Sequence, residues 1–486
     1  MQNPYRYIDF WAENKPNQIA VRDEKNSLTF KELSSTVLNL SNKLQQNGFE
    51  SGDVACLVMP SFLGYIFNLT LNSMGISTLS KFDSSKFPSF FDPDHILTVN
   101  DLPGFENYNV LKVDGAFMND ASELSEGNVS SGFKNIDNTC LYVTTSGTTG
   151  QPKYMAITAN QLAEIAKRPG TNDSFGPDGV FSALPFGSAW ATFHSRKCLM
   201  LGKTYFTFGK FDEGIINLIN NNPIKTLIGS SSQISSILGY AQNFGSNLPN
   251  IESFIIGGDA LTENLTNRIK DFSKARIYHT YGSTEVGHIA ISEVSSAFKN
   301  SLKIRPEVTV EILDEAGNKL PNNQIGTVRT AGPNMLTGYL GISQQDSSYF
   351  KDGFHYSGDY GYLTDNGELV LVSRQDDVLH IGGAKIDSQT VHAHLDPVLK
   401  DLDWRAVDWQ NPSLGISELA IVIRGPIQQD MQLLSPSISK VYSGDVSIFI
   451  LNAAFPLNSG GKVDLVGLRS AIAGLDPNLR ISASVQ

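Results

Sequence analysis

Cysteine is scarce. Cys56, Cys140 and Cys198 are the only three in 486 residues, far apart and without a CxxC pair, which excludes a disulfide framework and a thiolate zinc site and fits a reducing compartment. Basic residues are in deficit: 37 Lys and Arg stand against 49 Asp and Glu, a formal net charge of −12. No basic block is long enough to track a phosphate backbone, so nucleic acid is not expected as a main partner. Long apolar runs are missing too. The most apolar window, Val54 to Ile76, is interrupted by Pro60, Asn68 and Asn72 and reads as a buried strand followed by a helix rather than a membrane span. The first apolar stretch is broken by Asp9, Glu13 and Lys15 and lacks a basic start, so no signal peptide is expected. What remains, 41% hydrophobic and 18% charged residues, is ordinary globular composition at a length that points to two or more domains. A soluble cytoplasmic protein is the expectation.

Strand-like and helix-like stretches alternate along the chain. Leu28 to Asn47 carries Leu33, Val37, Leu38, Leu40 and Leu44 at helical spacing, with Gly48 placed as a stop. Val54 to Met59 follows as a strand. The alternation recurs at Gly214 to Asn220 and Thr226 to Ile228, then at Ser253 to Ile256 and Leu261 to Phe272, which favours an α/β fold of sheets covered by helices. Between Asp83 and Asn138, Ser, Asp, Asn and Pro dominate with weak periodicity, and irregular surface structure is expected there. The polar run Ser373-Arg374-Gln375-Asp376-Asp377 lies between a strand at Leu369 to Val372 and a Gly-Gly turn, a candidate joint between domains.

The densest local signal is Thr144-Thr145-Ser146-Gly147-Thr148-Thr149-Gly150-Gln151-Pro152-Lys153, after a strand at Cys140 to Val143. Such a loop offers backbone N–H groups, short hydroxyl donors and a terminal cation, which suits a polyphosphate; a plain surface loop is the alternative. It is not a Walker A loop, because Pro152 opposes the helix that motif must open. In Tyr281-Gly282-Ser283-Thr284-Glu285 a ring to stack a base, a close-approach glycine, hydroxyls and a carboxylate for Mg²⁺ stand together. A buried Tyr with a helix-capping Thr-Glu would look the same. Asp359 in Tyr356-Ser357-Gly358-Asp359 is a candidate ribose acceptor or a turn Asp, and Lys462 in Ser459-Gly460-Gly461-Lys462 a candidate anion contact or a solvated loop Lys.

In order and spacing these pieces, from Pro16-Asn17-Gln18-Ile19-Ala20-Val21 and Leu28-Thr29-Phe30-Lys31-Glu32-Leu33 to Lys462, resemble the signature motifs of the adenylate-forming superfamily of acyl-CoA synthetases, peptide-synthetase adenylation domains and beetle luciferases. The resemblance implies an α/β fold with a large N-terminal domain of about three subdomains, here 1–374, and a small mobile α+β C-terminal domain, 375–486. It also implies an active site between them, where ATP, Mg²⁺ and a small carboxylic acid give an acyl-adenylate before CoA or a phosphopantetheine carrier takes the acyl group. It further implies that Thr145, Ser146, Thr148 and Lys153 hold the β- and γ-phosphates, with Gly147 and Thr149 in the same nucleotide loop. Tyr281 would stack on adenine, Gly258, Asp259 and His279 would contact its edge, and Gly282 and Ser283 would lie along the nucleotide. Thr284 would touch the α-phosphate, Glu285 the Mg²⁺, and Asp359 with Arg374 the ribose. Asp376 matches the hinge and Lys462 the catalytic bridge between carboxylate and α-phosphate.

The acid and acceptor sides depart from the pattern. Where many relatives carry Pro-Phe-His, this chain has Pro185-Phe186-Gly187-Ser188, and neither Gly187 nor Ser188 offers a counter-charge to an ammonium, so an α-amino acid is disfavoured. Phe186, Ser188 and Trp190 are the candidate acid pocket, with plain core packing as the alternative for the aromatics and His194 open to a surface place. Gly382-Gly383 follows the hinge, and Gly383 is the candidate thiol tunnel, a tight turn being the alternative. An ATP-dependent acid–thiol ligase is the leading expectation. A stand-alone adenylating enzyme that loads a carrier protein or makes an amide is the second, and a catalytically retired nucleotide-binding module the third.

Overall fold

The computed structural model describes residues 5–80, 87–120, 132–145, 153–167, 179–258, 261–294, 300–342, 348–374, 378–381, 384–399, 402–411, 416–425, 434–442, 444–451, 453–457, 463–475 and 480–485. The apolar window at Val54 resolves into the strand Val54–Val58 and the helix Ser61–Ser73. That helix is buried on every side. Its asparagines are the reason it can be. Asn68 Nδ2 donates to Thr78 Oγ1 at 2.6 Å, Asn72 Nδ2 to the carbonyls of Ile76 and Cys140, each at 2.9 Å, and both side-chain oxygens accept from Nη2 of the buried Arg196. Polar groups with partners are tolerated inside a core. Among the described residues no helix is long and apolar enough to cross a membrane.

Val54–Val58 sits in a six-stranded sheet ordered Asn109–Lys112, His95–Thr98, Val54–Val58, Ser77–Ser80, Thr139–Thr145, Lys153–Thr158, parallel until its last, antiparallel pair. Two of these strands and the short helix Gly115–Asp120 fall where irregular structure was expected. His95–Thr98 is fully buried and held by His95 Nε2 at 2.9 Å from Asp53 Oδ2; four residues are too few to show a period.

The second sheet has 14 strands. Its middle is parallel: Val180–Ser182, Thr226–Gly229, Ser253–Gly257 and Arg276–Ser283 lie side by side, with the helices Ser231–Asn243 and Glu263–Phe272 between successive strands. Burial on both faces explains unbroken runs such as Phe254-Ile255-Ile256, all 0% exposed. From Arg276–Ser283 onward the sheet turns antiparallel, through Gly287–Glu293 and Ser301–Ile304 to Leu369–Arg374 and Phe354–Leu363. The helix expected at Leu28 to Asn47 is Phe30–Gln46, opened by a Thr29–Glu32 capping box and followed by Gly48 at φ +84°.

After residue 374 come the hairpin Val378–Ile381 with Ala384–Asp387, the helix Ser388–Leu395, and a four-stranded sheet of Asp403–Asn411, Ile416–Arg424, Gly444–Leu451 and Arg480–Val485. Among the described residues its buried clusters, built around Leu379, Trp404, Ile421 and Ile448 and around Val407, Phe449 and Leu468, draw on residues from Leu379 onward.

Candidate functional site

The parallel strand Arg276–Ser283 is buried from Ile277 to Thr280 and surfaces at Tyr281, so the expected nucleotide-contacting segment stands at the carboxyl end of a parallel strand, where α/β sheets bind ligands. Thr284-Glu285 is not the start of a helix; Ser283 to Gly287 turns the chain into the antiparallel strand Gly287–Glu293. Ser283 Oγ closes that turn by accepting from the N–H of Val286 at 3.1 Å. Glycine is required at 282, where a Cβ would lie 2.6 Å from the Gly287 carbonyl oxygen. One strand away, a Cβ on Gly257 would lie 2.6 Å from Thr280 and 3.2 Å from Trp190, and Gly258 takes φ +84°. His279 is buried in the strand.

Tyr281 Oη donates to Asp359 Oδ2 at 2.5 Å and lies 3.3 Å from Ser357 Oγ. Asp359 faces Arg374 across the antiparallel pair. The structure therefore brings the adenine and ribose candidates to one place. Glu285 is 7% exposed; its Oε1 accepts from Tyr339 Oη at 2.7 Å and lies 3.9 Å from His355 Nε2. The Tyr339 ring also meets Lys153, whose Nζ is 5.1 Å from its centroid and 3.4 Å from that of Tyr349. Lys153 and Glu285, 132 positions apart in the chain, thus share one aromatic neighbour. Tyr339, Tyr349 and His355 escaped the sequence reading, since only the fold brings them to Glu285. No group of three or more His, Cys, Asp or Glu among the described residues forms a metal site by itself. A lone carboxylate such as Glu285 nonetheless suits Mg²⁺, which takes one or two protein carboxylates and completes its shell with water and phosphate oxygens.

On the acid side Phe186 is 2% exposed and packs edge-on to Tyr65 at 5.8 Å. Ser188 caps the helix Ala189–Leu201, accepting from the N–H of Ala191 at 3.2 Å. Trp190 is half-buried, its ring 5.4 Å from that of His194. His194 is not on the surface: it is 6% exposed and its Nδ1 donates to the Trp190 carbonyl at 2.9 Å. Burial pushes its pKa down to about 3. Further along the helix Lys197 is 4% exposed, and burial, with the neighbouring Arg305 charge next, pushes its pKa down to about 8. The ring of His288 is enclosed although the residue keeps some exposure, and burial, then Arg305, pushes its pKa down to about 3. A guanidinium cannot accept, so His288 Nδ1 accepts from Arg305 Nη1 at 3.3 Å and its Nε2 donates to Thr280 Oγ1 at 2.5 Å. Thr280 in turn donates to the Ala290 carbonyl at 3.3 Å. Arg305, 5% exposed, also pairs with Glu307 at 2.6 Å. Lys197, His288 and Arg305 carry no sequence signal, being single residues scattered over a helix and two strand ends. Cys198 is fully buried and its thiol is pushed up to about 12 by that burial, which leaves it a packed thiol.

Ser146, Gly147, Thr148, Thr149, Asp259, Asp376, Gly383 and Lys462 lie outside the described residues, as do the side chains of Thr145 and Arg374.

The chain matches proteins of known activity over most of its length. It is 26% identical over 419 residues to the D-alanine–D-alanyl carrier protein ligase of Streptococcus agalactiae, covering 78% of this chain and 80% of the relative. It is 24% identical over 396 residues to a feruloyl-CoA synthase of Amycolatopsis sp, covering 77% and 79%. In three dimensions it overlays on the O-succinylbenzoate coenzyme A synthetase of Bacillus subtilis in complex with AMP, with a TM-score of 0.77 at 19% identity over 96% of this chain and 98% of the other. ATP-bound MatB from Rhodopseudomonas palustris gives 0.76 at 18% over 97% and 99%. The two-domain adenylate-forming fold is common to these structures. The model of the AMP-binding enzymes matches residues 95–340, a span that holds the hydroxyl-rich loop, Tyr281 and Glu285, and the chain accordingly belongs to the AMP-binding enzyme family, within the adenylate-forming superfamily.

Proposed function

We propose that this adenylate-forming ligase is an acid–thiol ligase that couples ATP cleavage to formation of an acyl-CoA thioester. The observation that carries the reading is the Tyr281–Asp359 hydrogen bond, 2.5 Å long, at the same strand end as Glu285 with its Tyr339 donor. Around one nucleotide these groups would supply a ring to lie on, a carboxylate for the ribose and a carboxylate beside the phosphates.

The acid arrives as a carboxylate, already nucleophilic, so the first half-reaction needs no general base. One carboxylate oxygen attacks the α-phosphorus and the bond to the bridging oxygen breaks, releasing pyrophosphate with the electron pair. The barrier is the approach of two anions, which positioned cations and donors lower. Lys153 would serve the β- and γ-phosphates, with Thr145, Ser146, Gly147, Thr148 and Thr149 before it; Thr284 and Lys462 would serve the α-phosphate. Mg²⁺ on Glu285 would neutralise phosphate charge. In the second half-reaction a thiolate attacks the acyl carbon and AMP leaves. We assign the boundary of the two domains to 374/375, because buried clusters of the C-terminal part start at Leu379, with Asp376 as the pivot between half-reactions and Gly383 beside the thiol path.

Similarity to carrier-protein ligases over 78% of the chain favours, as a second reading, a phosphopantetheine protein as acceptor. The deciding measurement is pyrophosphate release with ATP and Mg²⁺ over a panel of acids, with CoA, with a carrier protein whose phosphopantetheine thiol is free, and with neither. Acid-dependent release that accelerates with CoA and falls about 10²- to 10³-fold in Lys462→Ala supports the first reading. Acceleration by the carrier alone supports the second, and silence throughout returns the retired module.

A further inference from the structure

The segment Leu336 to Leu340 is tied at its two ends to the two pieces of chain that carry Glu285 and Lys153. Leu336 donates its N–H to the Glu285 carbonyl at 2.7 Å, and Leu340 donates its N–H to the carbonyl of Tyr154, the neighbour of Lys153, at 2.8 Å. Leu336 and Tyr339 also belong to one buried cluster with Met155 and Ile157 of the strand Lys153–Thr158, so the bridge is packed as well as hydrogen-bonded. Tyr339 stands inside it, 6% exposed.

The ring and the hydroxyl of Tyr339 reach different partners. Tyr349 at 5.5 Å and Phe350 at 5.3 Å pack against the ring edge-on, and Lys153 Nζ lies 5.1 Å from its centroid. A ring clamped in this way aims its oxygen, and Oη donates to Glu285 Oε1 at 2.7 Å. His355 Nε2 is 3.9 Å from the same oxygen, beyond hydrogen-bond reach. The phenol thus sets the plane of the Glu285 carboxylate, and with it the direction of the other oxygen. Mg²⁺ demands near-ideal octahedral geometry, so a carboxylate turned beforehand serves it better than one free to rotate about its last bond. A neutral O–H donor suits the task, because it orients the carboxylate without adding a positive charge that would compete with the ion.

We propose that Tyr339 is a positioning residue for the divalent cation, its hydroxyl orienting the Glu285 carboxylate for Mg²⁺ from a ring held beside Lys153. The inference rests on the assignment of Mg²⁺ to Glu285 in the ligase reading and deepens it.

The test titrates the full chain calorimetrically with a non-cleavable ATP analogue, once with Mg²⁺ and once with EDTA. The ratio of the two affinities is the contribution of the metal, and no turnover enters it. Tyr339→Phe removes the oxygen alone; para-fluorophenylalanine placed at the same position, which keeps the volume without a donor, is measured beside it in case the first does not fold. Either should lower the ratio about tenfold, the usual cost of losing the partner of a metal ligand, with the affinity under EDTA unchanged. Glu285→Gln should lower the ratio at least as far, and Tyr339→Phe added to Glu285→Gln should lower it no further. A tyrosine with only a structural part would move both affinities together, or lower the ratio equally with and without Glu285. Either result overturns the inference, as does an unchanged ratio in both variants at Tyr339. A wild-type ratio of about one, or a ratio that Glu285→Gln leaves intact, removes Mg²⁺ from Glu285 and takes this inference with it. The ligase reading fails separately, when the ratios behave as expected and no acid of the panel releases pyrophosphate.

Discussion

Two imidazoles in this protein are kept from their ordinary protonation by burial. His194 and His288 are each held down to about 3, whereas an exposed histidine takes its proton near 6.5. Below pH 6.5 the unfolded chain therefore binds protons that the folded chain refuses, so stability is fully present above that value and is lost as the pH falls toward 3. Each histidine contributes a slope of about 1.4 kcal/mol per pH unit over that window. Urea unfolding at pH 7.0 and 5.0 checks this, and His194→Gln should flatten the dependence by about half. At this scale the sequence exposed Tyr281, Asp359 and Glu285, because they sit in local motifs. It did not expose Tyr339, which donates to Glu285 from 54 residues away.

Among elements, the helix Ser61–Ser73 depends on a polar seam within an apolar body. Arg196 donates from one Nη2 to both Asn68 and Asn72, at 2.5 and 3.1 Å, and this ties the helix of the first sheet to the helix Ala189–Leu201 of the second. Replacing Asn72 by Leu removes an acceptor from a buried cation and two donors from buried carbonyls. The expected loss is about 1.5–3 kcal/mol of unfolding free energy, read from denaturant midpoints at unchanged slope. The elements legible beforehand were those with enough residues to show a period, such as Phe30–Gln46. His95–Thr98 and Asn109–Lys112 were not, since a four-residue strand in a parallel sheet announces itself only through its neighbours. The turn after Ser283 was misleading for a related reason: Ser-Thr-Glu is the same string whether it caps a helix or closes a hairpin, and the partner strand Gly287–Glu293 decides.

For the whole molecule, the net charge of −12 concerns solubility and long-range encounter. The proposed pivot at Asp376 makes a prediction at this scale. Asp376→Pro, which fixes one backbone torsion, should leave acid-dependent ATP–pyrophosphate exchange in place and slow thioester formation, measured as acyl-CoA or acyl-carrier product from preformed adenylate. Parallel loss of both half-reactions would count against a pivot there. The two-part architecture was legible through the resemblance carried by local motifs, whereas the merging of parallel and antiparallel strands into one 14-stranded sheet depends on pairings far apart in sequence.

The ordered donors from Arg305 through His288 and Thr280 to the Ala290 carbonyl have a direction. A guanidinium stands at the head and cannot receive; a peptide oxygen stands at the tail and cannot give. The row therefore cannot flip, and no proton can be relayed along it in either sense. The histidine in its middle is locked as a fixed dipole, not a titrating base.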